Sequence, residues 1–113
     1  MHLAISDLAR MYREAALITG DIGDPKAANA AADQLHRCYK QLRESEAGRS
    51  AISALMADAS PHVRSWAAAH SLYWAEGEAR AVLEELRDSN GRRSLSAKWT
   101  LREFDRGKLS FEY

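Results

Sequence analysis

From Pro61 to about Ala75 the chain reads PHVRSWAAAHSLYWA, and this stretch constrains the fold more than any other. With residues placed at about 100° steps around a helix, Val63, Trp66, Ala67, Ala68, Ala69, His70, Leu72, Tyr73 and Trp74 cover most of the circumference. Only Arg64 and Ser71, flanked by Ser65 and Ala75, fall on wet or small-residue faces. A helix that is apolar nearly all round has to be contacted from several sides. The pattern therefore predicts a central helix, opened by Ser60 as cap and by Pro61 at the first helical position, where the missing N–H has no helical partner anyway.

The flanking sequence supplies the contacting helices. Leu8, Met11, Tyr12, Ala15 and Ile18 recur at helical spacing between about Leu3 and Thr19, before Gly20 and Gly23 break the pattern. Asp24-Pro25 restarts it, and Ala28, Ala31, Ala32, Leu35, Tyr39 and Leu42 make one stripe as far as about Glu44. Gly48 is expected to end that hairpin. A short helix from about Arg49 to Ala59 follows, with Ile52, Leu55, Met56 and Ala59 inward. After the central helix, Glu76 to Ser89 turns Ala79, Val82, Leu83 and Leu86 inward and stops at Asn90-Gly91. A sixth helix runs from about Leu95 to Arg106, with Ala97, Leu101 and Phe104 inward and Gly107 as its stop. Residues 109–113 form a tail with two open outcomes, disorder or a fold back through Leu109, Phe111 and Tyr113.

The expectation is an all-α single domain over residues 1–108. Alanine fills 21 of the 113 positions, which lets neighbouring helices approach closely, and Val, Ile and Thr together fill only 8, too few for a sheet. Six helices joined by short turns give three antiparallel hairpins. A weak repeat links them: Ile52 and Leu55 match Leu83 and Leu86 at a shift of 31, and Val63, Ala69 and Leu72 match Leu95, Leu101 and Phe104 at a shift of 32. A period of this size in helical pairs predicts stacked hairpins, a short right-handed superhelix, rather than a closed bundle.

The stretch AISALMADASPHVRSWAAAHSL, Ala51 to Leu72, resembles a HEAT repeat. Asp58 and Pro61 fill the turn, Val63-Arg64 opens the second helix, and Ala67, Ala68 and Leu72 follow. The second copy, Ala79 to Leu109, departs from the pattern, with Leu95-Ser96 in place of Val-Arg and no proline. The whole chain also resembles a family of short bacterial proteins classed as a domain of unknown function with an α-α superhelix. The Ala28-Asn29 to Asp33 region, PHVRSWAAAHSL and the closing SAKWTLREFDRGKL carry that likeness. Both resemblances imply a fold and no activity.

Several function classes are expected to be absent. No run of 18 apolar residues occurs, so no membrane span is predicted. Asp7 and Glu14 interrupt the opening residues, which read as neither a secretory signal nor a transit peptide. Cys38 is the only cysteine, so a disulfide framework is excluded within one chain and a reducing cytoplasm is the expected location. His2, His36, His62 and His70 show no i,i+4 pair, and neither a metal nor another cofactor is expected. Cys38 lacks a base on its own helix face, because His36 is two residues away. Glu84, Glu85 and Asp88 alternate with Arg80 and Arg87, which predicts the surface pairs Arg80–Glu84 and Glu84–Arg87 rather than an acid–base site. His70, amid the apolar arc, is either a hydrogen-bonded core histidine or the centre of an enzyme site; no constellation of polar groups converges with it, and the chain is read as a non-enzyme.

The neutral net charge conceals a polarised C-terminal half. Residues 92–108 carry six basic side chains against two acidic, whereas 76–88 carry two basic against five acidic. Lys98, Arg102 and Arg106 form one strip of the sixth helix, and Trp99 projects about 60° from Arg102, away from the inward stripe. If the second helices of stacked hairpins share a face, Arg64 joins that surface. An aromatic beside arginines has the composition of a binding anchor. The expected function is a small protein-binding module, an adaptor or an inhibitor or immunity-type protein, meeting an acidic partner through Arg64, Lys98, Trp99, Arg102 and Arg106. Nucleic-acid binding through the same strip is the alternative. The tail covering Trp99 is the outcome under which the strip is merely structural.

Overall fold

The computed structural model describes residues 3–20 and 23–112 of the 113-residue chain. His2 and Tyr113, both singled out by the sequence, lie outside the described residues. Six α-helices follow in order: α1 (Ile5–Thr19), α2 (Pro25–Leu42), α3 (Glu46–Ala54), α4 (Pro61–Ser71), α5 (Glu76–Asp88) and α6 (Ser94–Asp105), with one 3-10 turn (Leu55–Ala57) closing α3. No strand occurs among the described residues. The Cα radius of gyration of 13.2 Å matches the roughly 13 Å of a compact chain of this length.

Local chemistry explains where the helices begin. The Asp24 carboxylate accepts from the Ala27 N–H at 3.0 Å, and Pro25 occupies the first helical position of α2. Ahead of α4 the cap is not the Ser60 hydroxyl. Asp58 holds the turn instead: its carboxylate accepts from the Ser60 N–H at 2.9 Å and from Arg13 of α1 at 2.6 Å. Asp58 thus joins the α3–α4 turn to α1, and the Arg13 guanidinium holds its carboxyl below the usual range.

Gly48, expected to end the first hairpin, lies inside α3. α2 stops at Leu42, and Ser45 caps α3 by accepting from the Gly48 N–H at 3.0 Å. The reason for glycine is contact. A Cβ built at Gly48 would sit 1.9 Å from the Leu42 carbonyl oxygen, so α3 enters against the end of α2 with no room for a side chain. Gly48→Ala should cost about 2–3 kcal/mol of stability by forcing this backbone apart. A urea midpoint equal to wild type would show that the two helix ends can separate freely.

α4 is central, as its composition predicts. It packs against α1, α3, the 3-10 turn and α5. Val63, Ala67, Ala68 and His70 have no exposed surface. Ser65 and Ser71, placed by the helical wheel on small or wet faces, are buried too: the Ser71 hydroxyl lies 2.9 Å from that of Ser53, which also accepts from the Trp74 indole N–H at 2.8 Å. Small hydroxyls let helices close on α4 from more sides than apolarity alone suggests.

After α6 the chain reverses at Gly107, whose φ of +70° suits glycine. The Gly107 N–H donates to the Phe104 carbonyl at 3.0 Å and the Lys108 N–H to that of Glu103 at 2.8 Å, a Schellman closure. The segment that follows folds back. Phe111 joins the core, Tyr73 Oη donates to the Leu109 carbonyl at 2.6 Å, and Arg43, just past the end of α2, pairs with Glu112 at 2.6 Å. The tail therefore acts as a strap across α2 and α4.

Candidate interaction surface

α6 is held by one side only. Ala97, Thr100 and Leu101 are buried, Arg80 of α5 pairs with Asp105 at 2.6 Å, and the Ser94 hydroxyl donates to the Arg87 carbonyl. The opposite side carries Leu95, Lys98, Trp99, Arg102 and Arg106, at i, i+3, i+4, i+7 and i+11, and all five are exposed. Leu95 is 77% exposed and Trp99 51%. The internal repeat matched Leu95 to Val63, which is fully buried. The repeat breaks here, and the break leaves a leucine in water one turn before a half-exposed tryptophan.

Trp99 also differs from the other two tryptophans. The Trp66 indole N–H donates to Thr19 at 3.1 Å and that of Trp74 to Ser53, whereas Trp99 makes no such bond among the described residues. The strap does not cover it: Phe111 lines a small cavity together with Trp99 and leaves that residue about half exposed.

The cations on this face form no ion pair among the described residues. Arg10, Arg13, Arg43, Arg80 and Arg87 each meet a carboxylate within the chain. Lys98, Arg102 and Arg106 meet none among the described residues. Arg64 is placed differently from the strip. Its guanidinium donates to the carbonyls of Asp58 and Ala59 at 2.8 and 3.0 Å, closing the turn before α4, and it borders a cavity of about 340 Å³ with Arg92 and Arg93 at the opening end of α6.

Arg93 is the residue that sequence reasoning counted and did not single out. It is only partly exposed, and its guanidinium reaches two hydroxyls, Ser65 of α4 at 3.3 Å and Ser96 of α6 at 3.4 Å. Its Nε is buried with no hydrogen-bond partner, and burial lowers its pKa from the usual arginine value. The only signal in the sequence was the Arg92-Arg93 pair beside a helix start.

The remaining candidates resolve into packing. His70 lies wholly inside, with Nδ1 2.6 Å from Tyr12 Oη, its ring stacked on Tyr39 at 3.9 Å and met edge-to-face by Phe111 at 4.6 Å. Burial drops its pKa to about 3, so it is neutral near pH 7. Cys38 is buried, and burial pushes its thiol up, away from the thiolate a nucleophile needs. Arg80 and Arg87 pair with Asp105 and Asp88, not with Glu84 as their spacing predicted. Among the described residues no three His, Cys, Asp or Glu side chains converge as metal ligands, and no helix is long and apolar enough to cross a membrane.

Comparison with protein-family models, with curated proteins and with solved structures found no match.

Proposed function

We propose that this protein is a small protein-binding module without catalytic activity, of adaptor or inhibitor and immunity type, which presents the outer face of α6 to an acidic partner in the cytoplasm. The proposal takes its helical hairpins as a short right-handed superhelix of the HEAT kind. One observation carries the functional reading: Leu95 and Trp99 stand exposed on one stripe with Lys98, Arg102 and Arg106, and among the described residues no carboxylate forms an ion pair with these three cations. Exposed tryptophan and arginine are the residues that most often dominate protein interfaces, and an unpaired basic stripe steers acidic partners. Arg64 serves the turn before α4 and belongs at most to the edge of this surface.

The test is retention from a native, nuclease-treated lysate by wild-type protein and by the double variant Trp99→Ala, Arg102→Ala. The expected result is one protein retained in stoichiometric amount by the wild type, with the variant losing more than about 2 kcal/mol of binding while keeping its helicity. Unchanged affinity would remove the site. Retention that disappears with nuclease would transfer the face to nucleic acid, with log affinity falling by roughly 0.7–0.9 per decade of salt for each phosphate contacted.

A further inference from the structure

Between α4 and α6, at the inner edge of Trp99, lies a cavity of about 110 Å³. Its polar wall is Arg93 with the hydroxyl-bearing Ser65, Ser96 and Thr100. Trp66, Trp99 and Phe111 form the apolar wall. Among the described residues no carboxylate lines it. We propose that this cavity is the receptor for a carboxylate side chain, Asp or Glu, of the partner protein, with Arg93 as the group that binds it. The proposal rests on the reading of α6 as the partner surface and names the chemistry of the partner's anchor.

Three observations converge on it. First, a half-buried guanidinium is normally compensated by an acid, because removing a charge from water is costly without a partner. Arg93 has only two long contacts to hydroxyls and a buried, unpartnered Nε. Glu85, which borders the neighbouring cavity with Arg64 and Arg92, makes no ion pair with Arg93. Second, the wall presents donors. A guanidinium offers five N–H groups and no acceptor, and serine and threonine hydroxyls can turn their protons toward an anion. Third, the size is limited. At ~30 Å³ per water, the cavity holds the space of about three to four waters, enough for a carboxylate and its methylenes and too little for a nucleotide. On the α6 wheel, Trp99, Ser96 and Thr100 step inward from the exposed stripe, so a side chain of a partner lying on Trp99 would reach the cavity directly.

The experiment is a titration of the ¹⁵N-labelled full chain with the methylamide of N-acetyl-glutamate, followed at the Arg93 Nε–H and at the Trp66 and Trp99 indole signals. The methylamide of N-acetyl-glutamine and sodium chloride at matched ionic strength are the controls. The expected result is saturable shifts at all three signals, at least tenfold weaker with the glutamine analogue and at least tenfold weaker in Arg93→Gln. Arg93→Gln should keep or raise the melting temperature, since it removes an uncompensated charge. Equal shifts from the glutamate and glutamine analogues, or shifts confined to Lys98, Arg102 and Arg106, would overturn the proposal. So would a clear fall in the melting temperature of Arg93→Gln, which would make Arg93 a structural tie. Inorganic phosphate binding tenfold more tightly than the glutamate analogue would overturn the choice of a carboxylate. The two readings fail separately. A failed titration beside partner binding that still needs Trp99 overturns the cavity alone, and partner binding indifferent to Trp99 overturns the α6 surface while the titration stands on its own.

Discussion

Lowering the pH from 7 to 4 is expected to remove on the order of 3 kcal/mol of folding stability through His70 alone. His70 titrates at about 3 in the folded protein against 6.5 for an ordinary histidine, because it has no exposed surface and its charged form has no acid to meet. Its surroundings are Tyr12 from α1, His36 and Tyr39 from α2, Arg43 just past the end of α2, Trp66 from its own helix and Phe111 from the strap, of which His36 and Arg43 further disfavour a positive charge. The sign follows from linkage. Between pH 6.5 and 3 the unfolded chain binds a proton that the folded chain refuses, so stability is full above about pH 6.5 and falls as the pH drops through that window. Each unit there costs about 1.4 kcal/mol. His62, whose pKa is also lowered by burial and by Arg93 and Arg92, adds in the same direction. Carboxylates such as Asp58, held low by Arg13, lose their contribution only at lower pH. Urea unfolding at half-unit steps from pH 7 to 4.5 isolates the histidines. His70→Gln should be less stable at pH 7 and should lack most of the slope. A variant with the wild-type slope would place the acid sensitivity elsewhere.

Phe111→Ala is expected to cost about 3 kcal/mol, the range for removing a buried aromatic ring. Phe111 is 9% exposed and meets His70, Tyr39 and Tyr73 edge-to-face at 4.6, 5.9 and 6.0 Å. Its removal opens the aromatic cluster around His70 and joins the small cavity beside Trp99 to that of about 320 Å³ on the other side of the strap. Glu112→Ala is the control. The Arg43–Glu112 pair is short, yet the Glu112 side chain is 68% exposed, and exposed pairs contribute little. Its urea midpoint should stay near wild type. If Phe111→Ala behaves like Glu112→Ala, the strap is peripheral and the His70 cluster is closed without it.

The places where sequence and structure part have local causes. The helical pattern recovered all six helices, because amphipathic spacing and the Asp24-Pro25, Ser60-Pro61, Asn90-Gly91 and Gly107 signals are carried within a few residues. Gly48 misled because glycine both stops helices and allows close approach. Its role depends on the Leu42 carbonyl beside it, although Ser45, an acceptable cap three residues ahead, was a visible sign of a helix start. Leu95 misled in the opposite way, since the repeat treated it as the counterpart of buried Val63. The basic strip and the outward Trp99 were legible, because both are properties of one helix face. Arg93 was not, because its partial burial comes from α4 and from the turn that begins α6.

The sequence by itself determined that this chain is a set of helices with one central helix and a basic strip along one face of the last, since periodicity, caps and breakers act over one or two turns. Only the tertiary structure decided that α6 leaves Leu95 and Trp99 uncovered, that Phe111 closes over His70, and that Arg93 sits beside a cavity with no acid paired to it among the described residues. Burial and charge pairing depend on which distant segments meet, and the spacing of residues within a helix carries no record of that.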